Sequence, residues 1–377
     1  MADKFRTGVI GCGLIAANHV RSYLKTGRFE VVALADLRPD AMAKYDEEFG
    51  LATKHYTDAR EMLDREGLDV VSVGVWHRGH ATWTIAAAAH RPKAILCEKP
   101  MAETLQRAEQ MIVACRRNGV KLAIAHQRRF CPAYNLARDL IAGGAIGDVQ
   151  MMQAFGADGL PNDCSHLADM FRYLLGDDEC EWVMGNIERK TDRYERATRI
   201  EDGGMGLFQF RGGARAMIMS QITPLKYQGA LISGSEGMID LKESGLRLLN
   251  ESTGGVWELR RPDGKFYKAG ERGMDYLEAG VAQADELADW IEGIVETHRG
   301  TAENGYKALE MIHAIYESAR CHEKVMLPLQ TRLNPLDLMV ESGHLEPVRP
   351  GAYDIRSFIL HGESFWSDGS TSEADAH

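Results

Sequence analysis

The sequence lacks the features by which membrane-spanning, disulfide-linked and metal-binding proteins are usually recognised. Its 377 residues contain no apolar run close to the roughly 20 residues that span a bilayer, and no signal-peptide core precedes the first strand-like segment. The seven cysteines are never closer than 16 positions apart and their number is odd, which excludes CxxC metal knuckles and argues against full disulfide pairing. No HExxH motif is present. We therefore expect a cytoplasmic protein with no membrane contact and no metal site.

Basic side chains are also scarce, with 44 lysines and arginines against 55 aspartates and glutamates and a formal net charge of −11. An acidic balance repels phosphate backbones, so nucleic acid is not an expected partner. The rest of the composition is that of an ordinary globular protein, with 45% hydrophobic and 26% charged residues. At roughly 100–200 residues per domain, the length favours two domains.

Short apolar runs alternate with helical stretches over the first part of the chain. The runs have the length and composition of buried parallel strands and cover residues 7–10, 31–35, 70–75, 94–97 and 121–125. Apolar periodicity and stop residues predict helices over 15–26, 40–49 and 103–118. Strands and helices in alternation imply βαβ units. We therefore predict an α/β domain with a doubly wound parallel sheet over residues 1–125.

The pattern changes after about residue 150. One helix is predicted over 165–175, and strand-like runs separated by glycine-rich turns follow at 181–188, 204–211, 214–220, 227–234, 237–241 and 244–260. Two further helices are predicted over 275–298 and 303–321. This order is typical of an α+β domain with a mainly antiparallel sheet, which we place at residues 126–330.

Residues 331–377 form a C-terminal extension. Its segment 333–358 could make a subunit or domain contact. Residues 367–377 have few large apolar groups, and we predict that they are disordered.

A glycine-rich turn follows the first predicted strand and opens a helix. The segment Gly11-Cys12-Gly13-Leu14-Ile15-Ala16 has the pattern G-x-G-x-x-A. The first glycine makes the turn, the second lets the backbone approach a pyrophosphate, and the helix N-terminus offers N–H groups to the anion. The small residue in third place permits close packing of helix and strand. Cys12 is interpreted as a small packed residue rather than a nucleophile.

An acidic residue, Asp36, ends the second predicted strand 23 positions after Gly13. At this place a carboxylate would bind the ribose hydroxyls of NAD, and Leu37 beside it is a further candidate cofactor contact. Asp36 would repel the 2′-phosphate of NADP, although Arg38 could accommodate one, so NAD is the preferred cofactor. The alternative is a plain strand–helix turn with Asp36 on the surface.

The tripeptide Glu98-Lys99-Pro100 closes the strand at 94–97, at the carboxyl end where ligands lie in such sheets. Together with the glycine turn and Asp36, it resembles the Gfo/Idh/MocA family of NAD(P)-dependent oxidoreductases over roughly residues 5–330. Four further segments resemble the family: His80 at the start of the helix after the fourth strand, Arg129-Phe130 with Pro132 after the sixth, His166-Leu167-Ala168-Asp169 with Arg172 and Leu175-Gly176, and the turn Ser233–Gly237.

The resemblance implies an N-terminal Rossmann domain and a C-terminal α+β domain whose open sheet forms a homodimer or homotetramer interface. It implies oxidation of a ring carbinol of a sugar, cyclitol or glycoside, or the reverse reduction. Lys99 would be the catalytic lysine, with Glu98 beside it and His166 as its partner across the cleft.

Hydride transfer from a carbinol requires a base for the hydroxyl proton and a cation for the developing alkoxide. A buried lysine of lowered pKa can supply the first, and a histidine can serve in either role or as a relay. Non-catalytic roles for these residues stay open as alternatives. Lys99 could be a surface lysine paired with Glu98, and His166 could lie on a solvated helix face. Asp169 could bind substrate or be structural.

The chain departs from the commoner family pattern four positions before the histidine, where many members carry a carboxylate and this chain has Asn162, as a related subgroup does. Asn162 can hold a substrate hydroxyl by hydrogen bonds but cannot take a proton. Asp163, the next residue, could substitute for it or could cap the helix. Both are candidate substrate-binding residues.

Two further segments are expected at the cofactor and substrate. Trp76 and His77 follow the fourth strand and should border the cofactor, as should His80, although a packed core tryptophan is equally consistent with the pattern. By position after the sixth strand, Gln127 should approach the nicotinamide and Arg128 the substrate. The alternative for Arg128 is a salt bridge at the surface or between domains.

Two other functions stay open beside an NAD-dependent dehydrogenase or reductase. One is a glycosidase that keeps NAD bound, oxidises the sugar transiently at C3, eliminates the aglycone and returns the hydride. The other is a non-catalytic NAD-binding sensor.

Overall fold

The computed structural model describes residues 4–157, 159–196, 198–222, 229–262 and 276–348. Six strands of its first part are Phe5–Ile10 (β1), Phe29–Ala35 (β2), Lys54–Tyr56 (β3), Val70–Val73 (β4), Ala94–Cys97 (β5) and Lys121–Ile124 (β6). They form one parallel sheet with the order β3-β2-β1-β4-β5-β6. The doubly wound Rossmann sheet predicted from the sequence is confirmed.

Five helices connect these strands: Leu14–Thr26 (α1), Pro39–Phe49 (α2), Ala59–Glu66 (α3), His77–Ala89 (α4) and Leu105–Asn118 (α5). The strand order reverses between β1 and β4, because β2 and β3 lie on one side of β1 and the later strands lie on the other. In such sheets the reversal opens a crevice at the carboxyl ends of the two strands. The glycine turn after β1 and the segment between β4 and α4 therefore face the same crevice.

Several boundaries of this part differ from the sequence prediction, and β3 and α3 were not predicted. Strand β4 ends at Val73, two residues early, and α4 begins at His77 with Trp76 as its N-cap. His80 therefore lies one turn inside this helix rather than at its start. Helix α5 begins only at Leu105, because the hydroxyl of Thr104 accepts the N–H of Arg107 and caps the helix there.

The described residues of the second part contain eleven strands: Val149–Gly156 (β7), Cys180–Glu188 (β8), Tyr194–Glu195 (β9), Thr198–Arg199 (β10), Gly203–Phe210 (β11), Arg215–Ser220 (β12), Gly229–Gly234 (β13), Gly237–Lys242 (β14), Gly245–Asn250 (β15), Glu258–Arg260 (β16) and Val325–Met326 (β17). Nine of them form a sheet with the order β16-β15-β14-β13-β7-β12-β11-β8-β17, and β9 and β10 form a separate hairpin. Only β7 and β12 pair in parallel. The predicted mainly antiparallel sheet is confirmed.

Within the described ranges, five α-helices belong to this part: Pro132–Ala142 (α6), Asp163–Leu174 (α7), Tyr276–Glu292 (α8), Ala302–Cys321 (α9) and Pro335–Glu341 (α10). Helix α9 is buried from Ala308 to Ala319 and packs between the sheet and the Rossmann part. Just before it, the carbonyl of Gly300 accepts the N–H of Ile124 at 2.7 Å, which joins the segment to β6. Among the described residues, no helix has the length and hydropathy needed to cross a membrane.

Some predicted elements of this part were wrong in extent, and several were missed, among them the short strands β9, β10 and β17 and helix α10. The run predicted over 244–260 is broken, because Asn250 and Thr253 form a reciprocal capping box that starts a 3₁₀ turn between β15 and β16. Helix α8 ends at Glu292 rather than at 298. Strand β7 and helix α6 were not predicted, although β7 lies in the middle of the sheet.

The described part of the C-terminal extension contacts both parts of the chain. The carbonyl of Arg332 accepts the N–H of Gln106 in α5 at 3.1 Å, and Asp337 in α10 accepts a hydrogen bond from Arg199 in β10 at 2.9 Å. Residues 349–377, with part of the predicted contact segment and all of the predicted disordered end, lie outside the described residues. The domain limits at 125 and 330 and the homo-oligomer stay predictions.

Candidate active site

The glycine turn after β1 combines one crowded position with one open position. Gly11 has φ +92°, and a Cβ there would lie 2.9 Å from the carbonyl group of Gly74, so this position admits only glycine. Gly13 is the N-cap of α1, and a Cβ there would meet no atom within 4 Å. The first N–H groups of α1, from Leu14 and Ile15 onward, have no partner inside the helix. The turn thus offers N–H groups to open space.

The carboxylate of Asp36 lies beside this turn. Its oxygens accept the N–H of Cys12 at 2.8 Å and the N–H of Arg38 at 2.9 Å, while Tyr45 donates to the carbonyl of Gly13. Leu37 is 88% exposed, and Cys12 is buried, which raises the pKa of its thiol. Open backbone at Gly13, a helix N-terminus and a half-buried carboxylate at the end of β2 together fit a dinucleotide.

Lys99 lies at the carboxyl end of β5 and reaches the first turn of α7. Its Nζ donates to Oδ1 of Asn162 at 2.6 Å and lies 3.4 Å from the backbone oxygen of the same residue. The side chain is half-buried, and burial lowers the pKa of Lys99, with Arg196 acting in the same direction and Glu98 opposing it. A lysine of lowered pKa gives up its proton more readily than a free lysine and can therefore act as a base.

Glu98 is turned away from the amine of Lys99. One carboxylate oxygen lies 3.0 Å from Nε2 of His19, whose Nδ1 lies 2.6 Å from Oγ of Ser72, and the other accepts the backbone N–H of Lys99 at 3.1 Å. Burial acts to raise the pKa of Glu98, but the hydrogen bond from His19 and the charge of Lys99 hold it below its usual value. The network fixes the backbone from which Lys99 projects.

His166 lies in α7 and is only 5% exposed, so its face of the helix is not solvated. Its ring meets the ring of His126 edge-on, with centroids 5.5 Å apart. Burial, followed by the charges of Lys99 and Arg128, holds the pKa of His166 well below its usual range. Among the described residues, neither its Nδ1 nor that of His126 has a hydrogen-bond partner. Two buried imidazoles of lowered pKa thus lie near the lysine.

Arg128 and Asp163 are joined in a buried ion pair. Nη2 of Arg128 lies 3.1 Å from Oδ1 of Asp163, and its Nε lies 3.1 Å from Oε1 of Glu243. The other oxygen of Asp163 accepts the N–H of Ala157 at 3.2 Å. Asp163 is the first residue of α7, and Asn162 holds the N-cap position. This is the salt bridge considered for Arg128, and substrate contacts by these two residues stay predictions.

Asp169 is buried and held by Arg129, whose Nε lies 2.9 and 2.8 Å from its two carboxylate oxygens. Arg129 also pairs with Asp177 at 2.8 Å. Oδ2 of Asp169 lies 3.9 Å from Nδ1 of His126. Asp169 is therefore tied into a buried network with Arg129 and lies near His126, and a substrate contact by it stays a prediction.

The remaining predicted cofactor residues follow β4 and β6, whose carboxyl ends lie at the same edge of the parallel sheet. Trp76 is half-buried, His77 is buried with a lowered pKa caused first by burial, and Oε1 of Gln127 is buried without a partner among the described residues. His80 is also buried, and its ring nitrogens lie 2.8 Å from the carbonyl of Pro100 and 2.9 Å from that of Val75. His80 therefore joins two backbone turns, and a cofactor contact by it stays a prediction.

Sequence reasoning missed two charged residues of the hairpin β9–β10. Oε1 of Glu195 accepts a hydrogen bond from Nδ2 of Asn162 at 2.7 Å, and Nη1 of Arg196 lies 3.5 Å from Nε2 of His77. Arg196 has φ +47°, as the tight turn of a two-residue hairpin loop requires. Strands of two residues carry no periodicity, so only the charged run 193–196 marks this segment in the sequence.

The described residues contain no group of three or more His, Cys, Asp or Glu side chains that could hold a metal ion. What the site brings together is a lysine of lowered pKa, two buried histidines of lowered pKa and a glycine turn at a helix N-terminus. The chain matches the models of two known domain families. Residues 5–126 match the family model described as "Oxidoreductase family, NAD-binding Rossmann fold", and residues 152–327 match "Oxidoreductase family, C-terminal alpha/beta domain".

Curated relatives match over most of the chain. A 1,5-anhydro-D-fructose reductase of Ensifer adhaerens is 30% identical over 280 residues, which cover 69% of this chain and 81% of the relative. An inositol 2-dehydrogenase of Saccharopolyspora erythraea is 25% identical over 348 residues, covering 87% and 96%.

A solved structure shows the same fold. Levoglucosan dehydrogenase in complex with NADH and levoglucosan superposes with a TM-score of 0.74 at 22% identity, covering 86% of this chain and 100% of the other. At that identity the likeness concerns the fold alone. The two family models and the 30% identical relative identify the chain as a member of the Gfo/Idh/MocA family of oxidoreductases.

Proposed function

We propose that the protein is an NAD-dependent oxidoreductase that moves a hydride between the nicotinamide and a ring carbinol of a sugar or cyclitol. The observation that carries the proposal is the position of Lys99, a half-buried amine of lowered pKa at the carboxyl edge of the Rossmann sheet, within 2.6 Å of Asn162 of the second part. A base at this edge lies where a substrate beside the nicotinamide would be.

The chain's own residues supply everything except the hydride acceptor, which is the chemistry that NAD provides when bound. The N–H groups at Gly13 and Leu14 would hold the pyrophosphate, and Asp36 would hold the adenosine ribose. The carboxylate of Asp36 favours hydroxyls over a 2′-phosphate, which supports NAD over NADP.

Lys99 accepts the proton of the substrate hydroxyl during oxidation and returns it during reduction. His166 remains neutral at neutral pH and offers a hydrogen bond to a second hydroxyl from a ring nitrogen that has no partner among the described residues. Asn162 holds the amine and can contact a hydroxyl through the same carboxamide. The buried ion pair of Arg128 and Asp163 keeps this wall of the cleft rigid.

The substrate class is supported by the curated relatives. The proteins of Ensifer adhaerens and Saccharopolyspora erythraea are a 1,5-anhydro-D-fructose reductase and an inositol 2-dehydrogenase, one acting on a sugar and one on a cyclitol. A polyhydroxylated ring also suits the Nδ1 atoms of His126 and His166 and Oε1 of Gln127, which have no hydrogen-bond partner among the described residues, because each of them can bind a hydroxyl group.

A panel of free sugars, cyclitols and glycosides, offered with NAD and followed by NADH absorbance, tests the proposal. Steady accumulation of NADH from a free sugar or cyclitol supports it. Release of an aglycone without net NADH would contradict it and favour the glycosidase. Tight NAD binding with no turnover of any panel member would favour a sensor.

A further inference from the structure

The carboxamide of Asn162 lies between Lys99 of the Rossmann part and Glu195 of the hairpin β9–β10. Its Oδ1 is 2.6 Å from Nζ of Lys99, and its Nδ2 is 2.7 Å from Oε1 of Glu195. Asn162 is also the residue at which this chain has an amide in place of the commoner carboxylate. Along this chain of hydrogen bonds, the amide of Asn162 therefore separates the amine of Lys99 from the carboxylate of Glu195.

The two neighbours of the amide dictate the same orientation. An ionised carboxylate can only accept hydrogen bonds, so Glu195 must face the NH₂ group of Asn162. Oδ1 is then left facing Lys99, whose nitrogen can donate to it whether the amine is charged or neutral. An amide without Glu195 would be free to turn its NH₂ group toward the neutral amine and occupy the lone pair.

The hairpin that carries Glu195 is anchored from the side away from the cleft. Its strands pair Tyr194 with Arg199 and Glu195 with Thr198. Nη1 of Arg199 lies 2.9 Å from Asp337 and 3.3 Å from Glu341 in α10. Contacts from the C-terminal extension thus hold in place the turn that delivers a carboxylate to the site.

We propose that Glu195 is a positioning residue that fixes the Asn162 carboxamide with its oxygen toward Lys99, an inference that rests on the proposed function. In this orientation neutral Lys99 donates one N–H to Oδ1 and directs its lone pair at the substrate hydroxyl. The hydroxyl proton then passes to Nζ, and the resulting ammonium keeps Oδ1 as an acceptor. The amide therefore serves Lys99 in both protonation states without pairing it with a full negative charge.

Several charged and titratable groups act on Lys99 besides Glu195. They come from every element that meets at the amine: His77 of α4, Glu98 of the same turn, His126 after β6, Asp163 and His166 of α7, and Arg196 of the hairpin. Removing the charge of Glu195 therefore changes the pKa of Lys99 in two ways. The amine loses the effect of a negative charge, and the carboxamide of Asn162 loses the contact that fixes its orientation. The experiment must separate the two.

A double-mutant cycle on the pKa of Lys99 separates them. Competitive acetylation with acetic anhydride across pH, read by peptide mass spectrometry, gives the pKa and the reactivity of Lys99 without substrate or cofactor. The variants are Glu195→Gln, Asn162→Ala and the pair, with Glu188→Gln as a control because Glu188 is an exposed carboxylate at the end of β8. Glutamine keeps the shape of Glu195 but can donate as well as accept, so it no longer fixes the amide.

We expect Glu195→Gln to lower the pKa of Lys99 by about half a unit or more, because the ammonium loses a negative charge and a fixed acceptor. At least half of that shift should disappear when Asn162 is already alanine. An equal shift in both backgrounds, or no shift with Glu195→Gln, would overturn the proposal. Because the measurement needs no turnover, a missing substrate would count against the proposed function and leave this result standing on its own.

Discussion

Nζ of Lys99 and Oδ1 of Asn162 lie 2.6 Å apart, and this hydrogen bond joins the end of β5 to the start of α7. A carboxylate in place of the amide would stabilise the ammonium form of the lysine, whereas the neutral amide favours neither form strongly. The choice of an amide at position 162 therefore matches a lysine that must lose its proton to act as a base.

The substitution Asn162→Asp tests this relationship. A carboxylate so close to the amine should raise the pKa of Lys99 by about 1–3 units. Oxidation requires the neutral amine, so the acidic limb of the kcat/KM profile should move to higher pH and the rate at neutral pH should fall. Profiles of the wild type, Asn162→Asp and the surface variant Glu188→Gln would show this. An unmoved limb, or one moved to lower pH, would contradict the assignment.

Gly11 and Gly13 should respond differently to alanine. At Gly13 the backbone is extended and a Cβ meets no protein atom, so Gly13→Ala should leave the free energy of unfolding within about 1 kcal/mol of the wild type. It should nevertheless weaken the binding of NAD, because the methyl group would occupy the space in front of the turn. Gly11→Ala should destabilise the fold, because φ is +92° and the Cβ would lie 2.9 Å from backbone atoms.

Denaturant titration and NAD calorimetry on the two variants decide the matter. Normal NAD affinity in folded Gly13→Ala would show that the pyrophosphate does not bind at this turn.

Asp36 should discriminate between the two cofactors. Asp36→Ala removes the carboxylate that would bind the ribose hydroxyls and also frees the N–H groups of Cys12 and Arg38. NAD affinity should fall about tenfold or more, the equivalent of roughly 1.4 kcal/mol, while NADP affinity should fall much less. Calorimetric titration of both cofactors measures the ratio. Equal weakening of the two would reject the preference for NAD.

Buried histidines should make the protein sensitive to mild acid. His313 in α9 is 3% exposed, and burial lowers its pKa to about 4, while in the unfolded chain it titrates near 6.5. Between these values the unfolded chain binds more protons, so stability is lost as the pH falls from about 6.5 to about 4. The slope from one such residue is at most about 1.4 kcal/mol per pH unit.

His313→Leu should remove its share of that slope. Denaturant midpoints between pH 4 and 7 would measure it, with the exposed His344 replaced by leucine as the control. A slope equal to that of the wild type would mean that His313 is protonated in the folded protein.

The parts of the fold that the sequence predicts well are those governed by local pattern. Five strands of the Rossmann sheet are largely buried and appear as short apolar runs, so β5 and β6 were located almost to the residue. Strand β3, whose Lys54 and His55 are exposed, has no such run and was not predicted. Strand β7 was missed because its two glutamines and two adjacent methionines break the alternation, even though it pairs with β12 and β13 in the middle of the sheet. Its strand conformation depends on pairing with β12 and β13 rather than on a pattern in its own residues.

The residues of the site also divide into those that local sequence pattern predicts and those that it does not. Lys99 and Asp36 follow predictable strands, so their places at the crevice could be anticipated. The pairing of Arg128 with Glu243 and that of Asn162 with Glu195 join residues from distant parts of the chain, and no local periodicity marks them. Long-range contacts of this kind depend on how the sheet and the hairpin pack, which the local sequence pattern does not determine.

The most direct test of the central claim is turnover by Lys99→Ala with the substrate found in the panel, at saturating NAD, with NAD affinity measured on the same sample. The account predicts that the rate of NADH formation falls about 10²- to 10⁴-fold, because the proton acceptor is gone. NAD affinity should be retained, because the turn at Gly11 and Gly13 and the carboxylate of Asp36 are untouched. Normal turnover with lost NAD affinity would contradict the role assigned to Lys99.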